Sequence, residues 1–396
     1  MNHLFGKIAI GVALASISLG GVLTTSAASG TGDWPMFADG PAHDGVNRAE
    51  HILSPTTVSG LRVTHSFTSW VPLTKAGAYQ TIVGGFGYSA ITGPHYSHGY
   101  IAAFRLSDGT KVWSHRIFAC NFGTAPAVVG GTAFVEGDGA VYAYNATTGR
   151  LQWTTLLANP GGCYPDNPVT VTAGIVYASQ FSSTTGESVF ALNPGTGAVL
   201  WSAAPGGCCA SSVAISGGLA YVDTGHLTAY NAVTGAQVFS SPTSIAFAQV
   251  AISGSIAFLF NGMQLDAVSA STGALLWSAS LLASSTVGSE AVDGNTLVVT
   301  NNEDVTAFSA SSGAQLWRLD SGSATTDYQT PSIANGVVYA ASYGLGVQAL
   351  NEATGSVLYV TPAMGCINAV VSRGSVYATC FSTSPPTGYA ETVFGL

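Results

Sequence analysis

Val189-Phe190-Ala191-Leu192-Asn193-Pro194-Gly195-Thr196-Gly197-Ala198-Val199-Leu200-Trp201 reads as a strand, a tight polar turn and a second strand. The template returns at Val141-Tyr142-Ala143-Tyr144-Asn145-Ala146-Thr147-Thr148-Gly149-Arg150-Leu151-Gln152-Trp153. Its turn glycine recurs as Gly109, Gly149, Gly197, Gly235, Gly273, Gly313 and Gly355, at intervals of 40, 48, 38, 38, 40 and 42 residues. Four residues after each glycine stands Trp113, Trp153, Trp201, Phe239, Trp277, Trp317 or Tyr359. Six residues before each stands Ala103, Ala143, Ala191, Ala229, Ala267, Ala307 or Ala349. Three fixed positions in seven copies mark an internal repeat.

Each position has a physical reason. The glycine supplies the positive φ of a tight hairpin turn. The aromatic covers a neighbouring blade with a large apolar face. The alanine sits where adjacent sheets approach too closely for a larger side chain. A second hairpin precedes each template, as in Ala127-Val128-Val129-Gly130-Gly131-Thr132-Ala133-Phe134-Val135. Two hairpins make four strands, A to D from the axis outward, which is one propeller blade.

The two ends complete the ring. Ala369 to Phe381 supply a first hairpin, and Val393-Phe394-Gly395-Leu396 match the start of the template, with Gly395 in the alanine's place. Ser59-Gly60-Leu61-Arg62-Val63-Thr64 supply the missing half, with Thr64 in the aromatic's place. The sequence therefore predicts an all-β, eight-bladed propeller of four-stranded antiparallel blades, its last blade closed by both termini, which protects otherwise open sheet edges. The expected organisation is a signal peptide over 1–28, a lead-in segment over 29–58 and one propeller domain over 59–396.

Composition narrows the functions. Charged residues make up 7% of the chain and the net charge is −9, with no Lys/Arg cluster. Binding a phosphate backbone needs a basic stripe, so nucleic acid is excluded as a partner. Lys7, the apolar run Ile8 to Val22 and the small residues Ser26-Ala27-Ala28 have the layout of an export signal. The apolar run is short for a bilayer span. A secreted or extracytoplasmic monomer, with no membrane span after cleavage, is expected. Six cysteines in an exported chain then favour disulfides over metal sites.

The Ala–aromatic–Asn–x–x–Thr–Gly–x–x–x–Trp template resembles the pyrroloquinoline-quinone-like propeller repeat. That family includes eight-bladed quinoprotein dehydrogenases and the propeller lipoproteins of outer-membrane barrel assembly. Asp33-Trp34-Pro35-Met36-Phe37 and Pro41-Ala42-His43-Asp44-Gly45 are similar to the lead-in of its secreted members. The resemblance covers nearly all of the mature chain and speaks to fold rather than activity.

Alternating strand direction places the D-to-A and B-to-C loops on one face, around the channel mouth. Five cysteines fall in the D-to-A loops: Cys120, Cys163, Cys208, Cys209 and Cys366. Tyr79, Asn167, Ser212, Gln249, Ser289, Thr330 and Asn368 enter the inner strands there, with Ala125 in blade 2. This polar, nearly uncharged ring is the candidate binding surface.

Cys366 and Cys380 lie equidistant from Arg373, the centre of a hairpin turn, and should face each other as a disulfide. Cys120 and Cys163 begin successive blades and offer a bridge between them. Cys208 and Cys209 either pair with each other or bridge to Cys163 and Cys120. An adjacent-cysteine disulfide lies against the quinone in quinoprotein alcohol dehydrogenases. Here Ala210-Ser211-Ser212-Val213 follows instead of their Val and Arg-Gly.

His95 and His98 share a loop without a nearby carboxylate, a weak metal set. Asn301-Asn302-Glu303-Asp304 offers oxygens for Ca²⁺ or, more simply, a polar turn. Glu290, Asp166 and Asp327 lie near inner-strand entrances, and nothing selects one as catalytic.

No catalytic residue or metal ligand is assigned and no cofactor is expected. The leading expectation is a non-enzymatic binding or scaffold propeller for a protein, peptide or glycan. The alternative is a small quinoprotein oxidoreductase using pyrroloquinoline quinone and Ca²⁺.

Overall fold

The computed structural model describes residues 32–68, 80–92, 99–117, 124–137, 139–157, 167–182, 186–207, 212–242, 249–260, 263–281, 289–322, 326–362, 365–382 and 388–396. Their strands form eight four-stranded antiparallel sheets. Blade 3 shows the pattern: Thr170–Thr172, Ile175–Ser182, Gly186–Leu192 and Val199–Ala203 bond in that order. Six other blades repeat it in chain order. In blade 8, Gly365–Ser372, Ser375–Ser382 and Gly388–Gly395 are the inner strands, and Arg62–Thr68 from the other end is the outermost. The expected closure by both ends is therefore present.

The repeat residues join one blade to the next. Gly197 has φ +72°, and a Cβ added there would lie 2.6 Å from the Trp153 ring of the preceding blade. The same overlap arises at Gly149 on Trp113 and at Gly235 on Trp201. The glycine is thus needed twice, for its turn and for the close approach of an indole.

Each Trp is also latched to the blade it covers. Trp113, Trp153, Trp201, Trp277 and Trp317 donate Nε1–H to the carbonyls of Ala146, Pro194, Ala232, Ala310 and Glu352 at 2.7–3.0 Å. Phe239 has no such donor. In that blade the Tyr221 hydroxyl makes the bond, to the Ala270 carbonyl at 2.8 Å. Ala191 pairs with Trp201 across strands C and D and is wholly buried, as the close sheet spacing requires.

The closing blade departs from the sequence alignment. Tyr377 pairs with Val393 as Tyr177 pairs with Ala191, so Val393 rather than Gly395 holds the alanine position. The outer strand bulges between Val63 and His65, which puts His65 rather than Thr64 in the aromatic's place. Phe67 takes over the covering role, since a Cβ on Gly109 would meet its ring at 2.3 Å. The terminal copy has neither turn glycine nor Trp to anchor its register, so the spacing of the other repeats does not carry over to it.

Candidate functional site at the channel mouth

The inner strands present one polar level toward the channel mouth. Ser289 and Gln249 pair with Thr300 and Phe260 on their B strands, and the Ser289 hydroxyl donates to Gln249 Oε1 at 2.9 Å. Ser212 Oγ lies 3.2 Å from His43 Nδ1. Asn368 occupies a bulge at φ +51°, a conformation Asn tolerates better than most residues.

Asn167 does not join this level. The A–B turn in blade 3 is Ala173-Gly174, which places Pro168 in register, and Asn167 turns instead to Ser179. It donates Nδ2 to the Ser179 carbonyl at 3.2 Å and hydroxyl at 3.1 Å. Tyr79 lies outside the described residues, as do Cys120, Cys163, Cys208, Cys209, His95, His98, Asp166 and the segment read as a signal peptide.

The floor of this mouth comes from the lead-in, a role the sequence did not reveal. Residues 32–53 run around the axis and touch every blade. Trp34 exchanges two backbone bonds with Ile82, at 2.7 and 2.8 Å. The carbonyls of Pro35, Pro41, Ala42, Asp44 and Gly45 accept from Val128, Ile215, Ile252, Val292 and Ile333 at 2.6–2.9 Å. These N–H groups belong to the inner strand edges, which otherwise face the channel without a partner. Proline suits two of the positions because only its carbonyl is used.

Blades 3 and 8 are reached by side chains. His43 Nε2 lies 2.9 Å from Thr170 Oγ1, and Asn47 Nδ2 donates to the Val371 carbonyl at 2.8 Å. His43 is buried edge-on to Phe37, and burial lowers its pKa to about 3, so the imidazole is neutral at ordinary pH. Phe37 and Ala38 pack on Ala125 of the ring. Trp34, Phe37 and Ala38 line a small void of about 20 Å³ beside Thr330 and Asn368. Among the described residues, the chain's own lead-in therefore stoppers the channel up to the polar level.

Other sequence candidates resolve locally. Asn301 Oδ1 accepts from the backbone of Glu303 and Asp304 at 2.9 and 2.7 Å, an Asx turn, and Asp304 pairs with Arg318 at 2.8 Å. Glu290 is buried beside Ser289, its Oε2 has no hydrogen-bond partner among the described residues, and burial raises its pKa well above its ordinary value. Asp327 is raised in the same direction by burial. A disulfide joins Cys366 and Cys380, directly opposite each other on strands A and B of blade 8.

Comparison with known proteins places this architecture. A family profile described as outer membrane protein assembly factor BamB matches residues 97–180, 160–291 and 261–380, more than half of the chain. The chain belongs to this BamB-like family of PQQ-like propellers.

Solved PQQ-like propellers share its fold. A quinohemoprotein alcohol dehydrogenase from Pseudomonas putida HK5 is 14% identical, with a TM-score of 0.74 over 92% of this chain and 80% of that one. The quinohemoprotein alcohol dehydrogenase of Comamonas testosteroni is 13% identical, with a TM-score of 0.70 over 93% and 81%. BamB from Moraxella catarrhalis is 17% identical, with a TM-score of 0.60 over 85% and 98%. Identities this low carry the fold alone. The comparison with curated proteins finds no match.

The family raises the question of an acidic quinone held with Ca²⁺. Among the described residues no three His, Cys, Asp or Glu side chains converge as a metal site. The described cations also sit elsewhere: Arg62, Lys111, Arg116, Arg150 and Arg318 on or beside outer strands, Arg105 on an outer turn, and Arg48 and Arg373 at the opposite face. The described donors at the mouth are neutral amides and hydroxyls. No helix among the described residues is long and apolar enough to cross a membrane.

Proposed function

We propose that this PQQ-like propeller is an exported, non-enzymatic binding or scaffold protein that recognises a protein, peptide or glycan at its channel mouth. The observation that carries the reading is the stoppered channel. Among the described residues, His43, Phe37 and Ala38 close it just beneath Ser212, Thr330, Asn368 and Ala125, so the ring stands on a floor supplied by the chain itself. Neutral amides and hydroxyls on a rigid ring suit hydrogen bonding to a peptide backbone or to sugar hydroxyls, with the surrounding loops adding specificity. An export signal and a disulfide agree with an extracytoplasmic setting.

The alternative, a quinone- and Ca²⁺-dependent oxidoreductase, draws on the fold shared with the alcohol dehydrogenases. One experiment separates the two. The purified chain is incubated with pyrroloquinoline quinone and Ca²⁺, and its melting temperature and dye reduction with alcohols and sugars are followed. The binding reading predicts neither a stabilising shift nor turnover, and a shift accompanied by turnover overturns it. In parallel, the immobilised chain is probed with peptide and glycan arrays. Capture that is lost in a folded Gln249→Lys/Ser289→Lys variant supports the ring, and capture indifferent to those changes contradicts it.

A further inference from the structure

We propose that the face opposite the channel mouth carries a second site, a cavity that binds an organic cation, an ammonium or guanidinium group on an apolar stem, through Asp39. It uses another face and other residues than the ring, and neither reading depends on the other.

The cavity has a volume of about 580 Å³, within the range of small-molecule sites. Met36 and Pro41 of the lead-in, with Val128, Phe134 and Val171 of blades 2 and 3, form apolar walls. Two carboxyl groups line it. Asp33 is already engaged, by Arg373 at 2.6 Å and the Gly84 N–H at 3.3 Å. Asp39 is 5% exposed, and its carboxyl has no hydrogen bond or ion pair among the described residues.

The cavity exists because the lead-in carbonyls leave the strand edge at blade 3. Its carbonyls cap Val128 in blade 2 and next Ile215 in blade 4. Val171, at the same register in blade 3, receives no such bond among the described residues and lines the cavity instead. Between Pro35 and Pro41 the chain turns back on itself, with Asp39 N–H on the Met36 carbonyl at 3.2 Å and Gly40 N–H on the Ala38 carbonyl at 2.8 Å. That turn sets Asp39 at the cavity.

The chemistry selects the ligand class. A buried carboxylate without a partner is costly. Burial, reinforced by Asp44 and opposed by Arg48, pushes the Asp39 pKa well above its ordinary value. A cation entering the cavity would recover the charged form and make a charge-assisted hydrogen bond, while its stem covers the apolar walls. An anion would meet two carboxyl groups. A neutral ligand would gain only an ordinary hydrogen bond.

The test is calorimetric titration of the intact chain at neutral pH with benzylamine, benzyl alcohol and a short capped peptide containing one arginine. Benzylamine should bind at least tenfold tighter than benzyl alcohol. Asp39→Asn should lower benzylamine affinity at least tenfold without lowering the melting temperature, because Asn accepts the left-handed φ of +66°. Val129→Trp, which fills the cavity while leaving Asp39 intact, should abolish binding. Tighter binding of the peptide than of benzylamine assigns the cation to a protein side chain, and the reverse assigns it to a free amine. The proposal fails if benzyl alcohol binds as tightly as benzylamine, if folded Asp39→Asn still binds benzylamine unchanged, or if no probe binds.

Discussion

Gly197 shows how two demands meet in one residue. Its φ of +72° disfavours any side chain, and the space for a Cβ is already filled by Trp153. Gly197→Ala should therefore destabilise the fold by about 2–4 kcal/mol, measured by denaturant unfolding. Trp153→Phe keeps the ring but loses the bond to the Pro194 carbonyl, and should cost only about 1 kcal/mol.

Two buried titratable groups act in opposite directions with pH. Burial raises Glu391 to about 8, against hydrogen bonds from Thr379 and Gln80. Its folded pKa exceeds the ordinary 4.5, so its stabilising contribution is complete below about 4.5 and lost as pH rises through 8. His43 is depressed from 6.5 to about 3, so its contribution is complete above 6.5 and lost as pH falls toward 3. Each slope is at most about 1.4 kcal/mol per pH unit. Glu391→Gln should gain in melting temperature on the parent between pH 5 and 8, whereas His43→Gln should gain on it between pH 6.5 and 4. At this scale the glycine's turn was legible in the sequence. Its contact with Trp153 was not, because that partner stands one repeat away.

Among the elements, the closing blade and the lead-in depart most from the repeat. The Cys366–Cys380 disulfide closes a short loop within the blade that joins the chain ends. Replacing both cysteines by Ala should cost about 3 kcal/mol, read as a lowered unfolding midpoint. The pairing was legible because a hairpin fixes which residues face each other. The register of the last strand was not, since Val393 and His65 replace both landmarks that identify the other copies.

The lead-in escaped the sequence for a different reason. Its carbonyls bond to backbone N–H groups, a contact almost independent of side-chain identity. Gly45 is an exception visible in retrospect. It has φ +71°, and a Cβ there would lie 2.7 Å from the Ala291 Cβ. Gly45→Ala should lower the melting temperature and speed proteolysis within residues 32–53, because it lifts the segment off blades 6 and 7.

At the scale of the whole molecule, repetition, closure and the mouth face were legible in the sequence, while the cavity on the opposite face was not. Alanine, glycine and Trp recur because every blade interface poses the same packing problem. The ring at the mouth follows from counting back from each A–B turn, whereas the cavity at Asp39 is built from unlike residues brought together once, so no periodicity announces it. Asn167 illustrates the limit: counting from the turn put it in the ring, and one residue of offset turned it to Ser179.

A stoppered channel is the claim on which the functional reading rests, and hydrogen exchange on the intact chain tests it most directly. The inner-edge amides of Ile82, Val128, Ile215, Ile252, Val292 and Ile333 should be protected as strongly as the amides within the sheets, because lead-in carbonyls cover them. Exchange of these six within seconds, while the rest of each blade stays protected, would mean an open axis and would return the deep-channel, cofactor-dependent reading to first place.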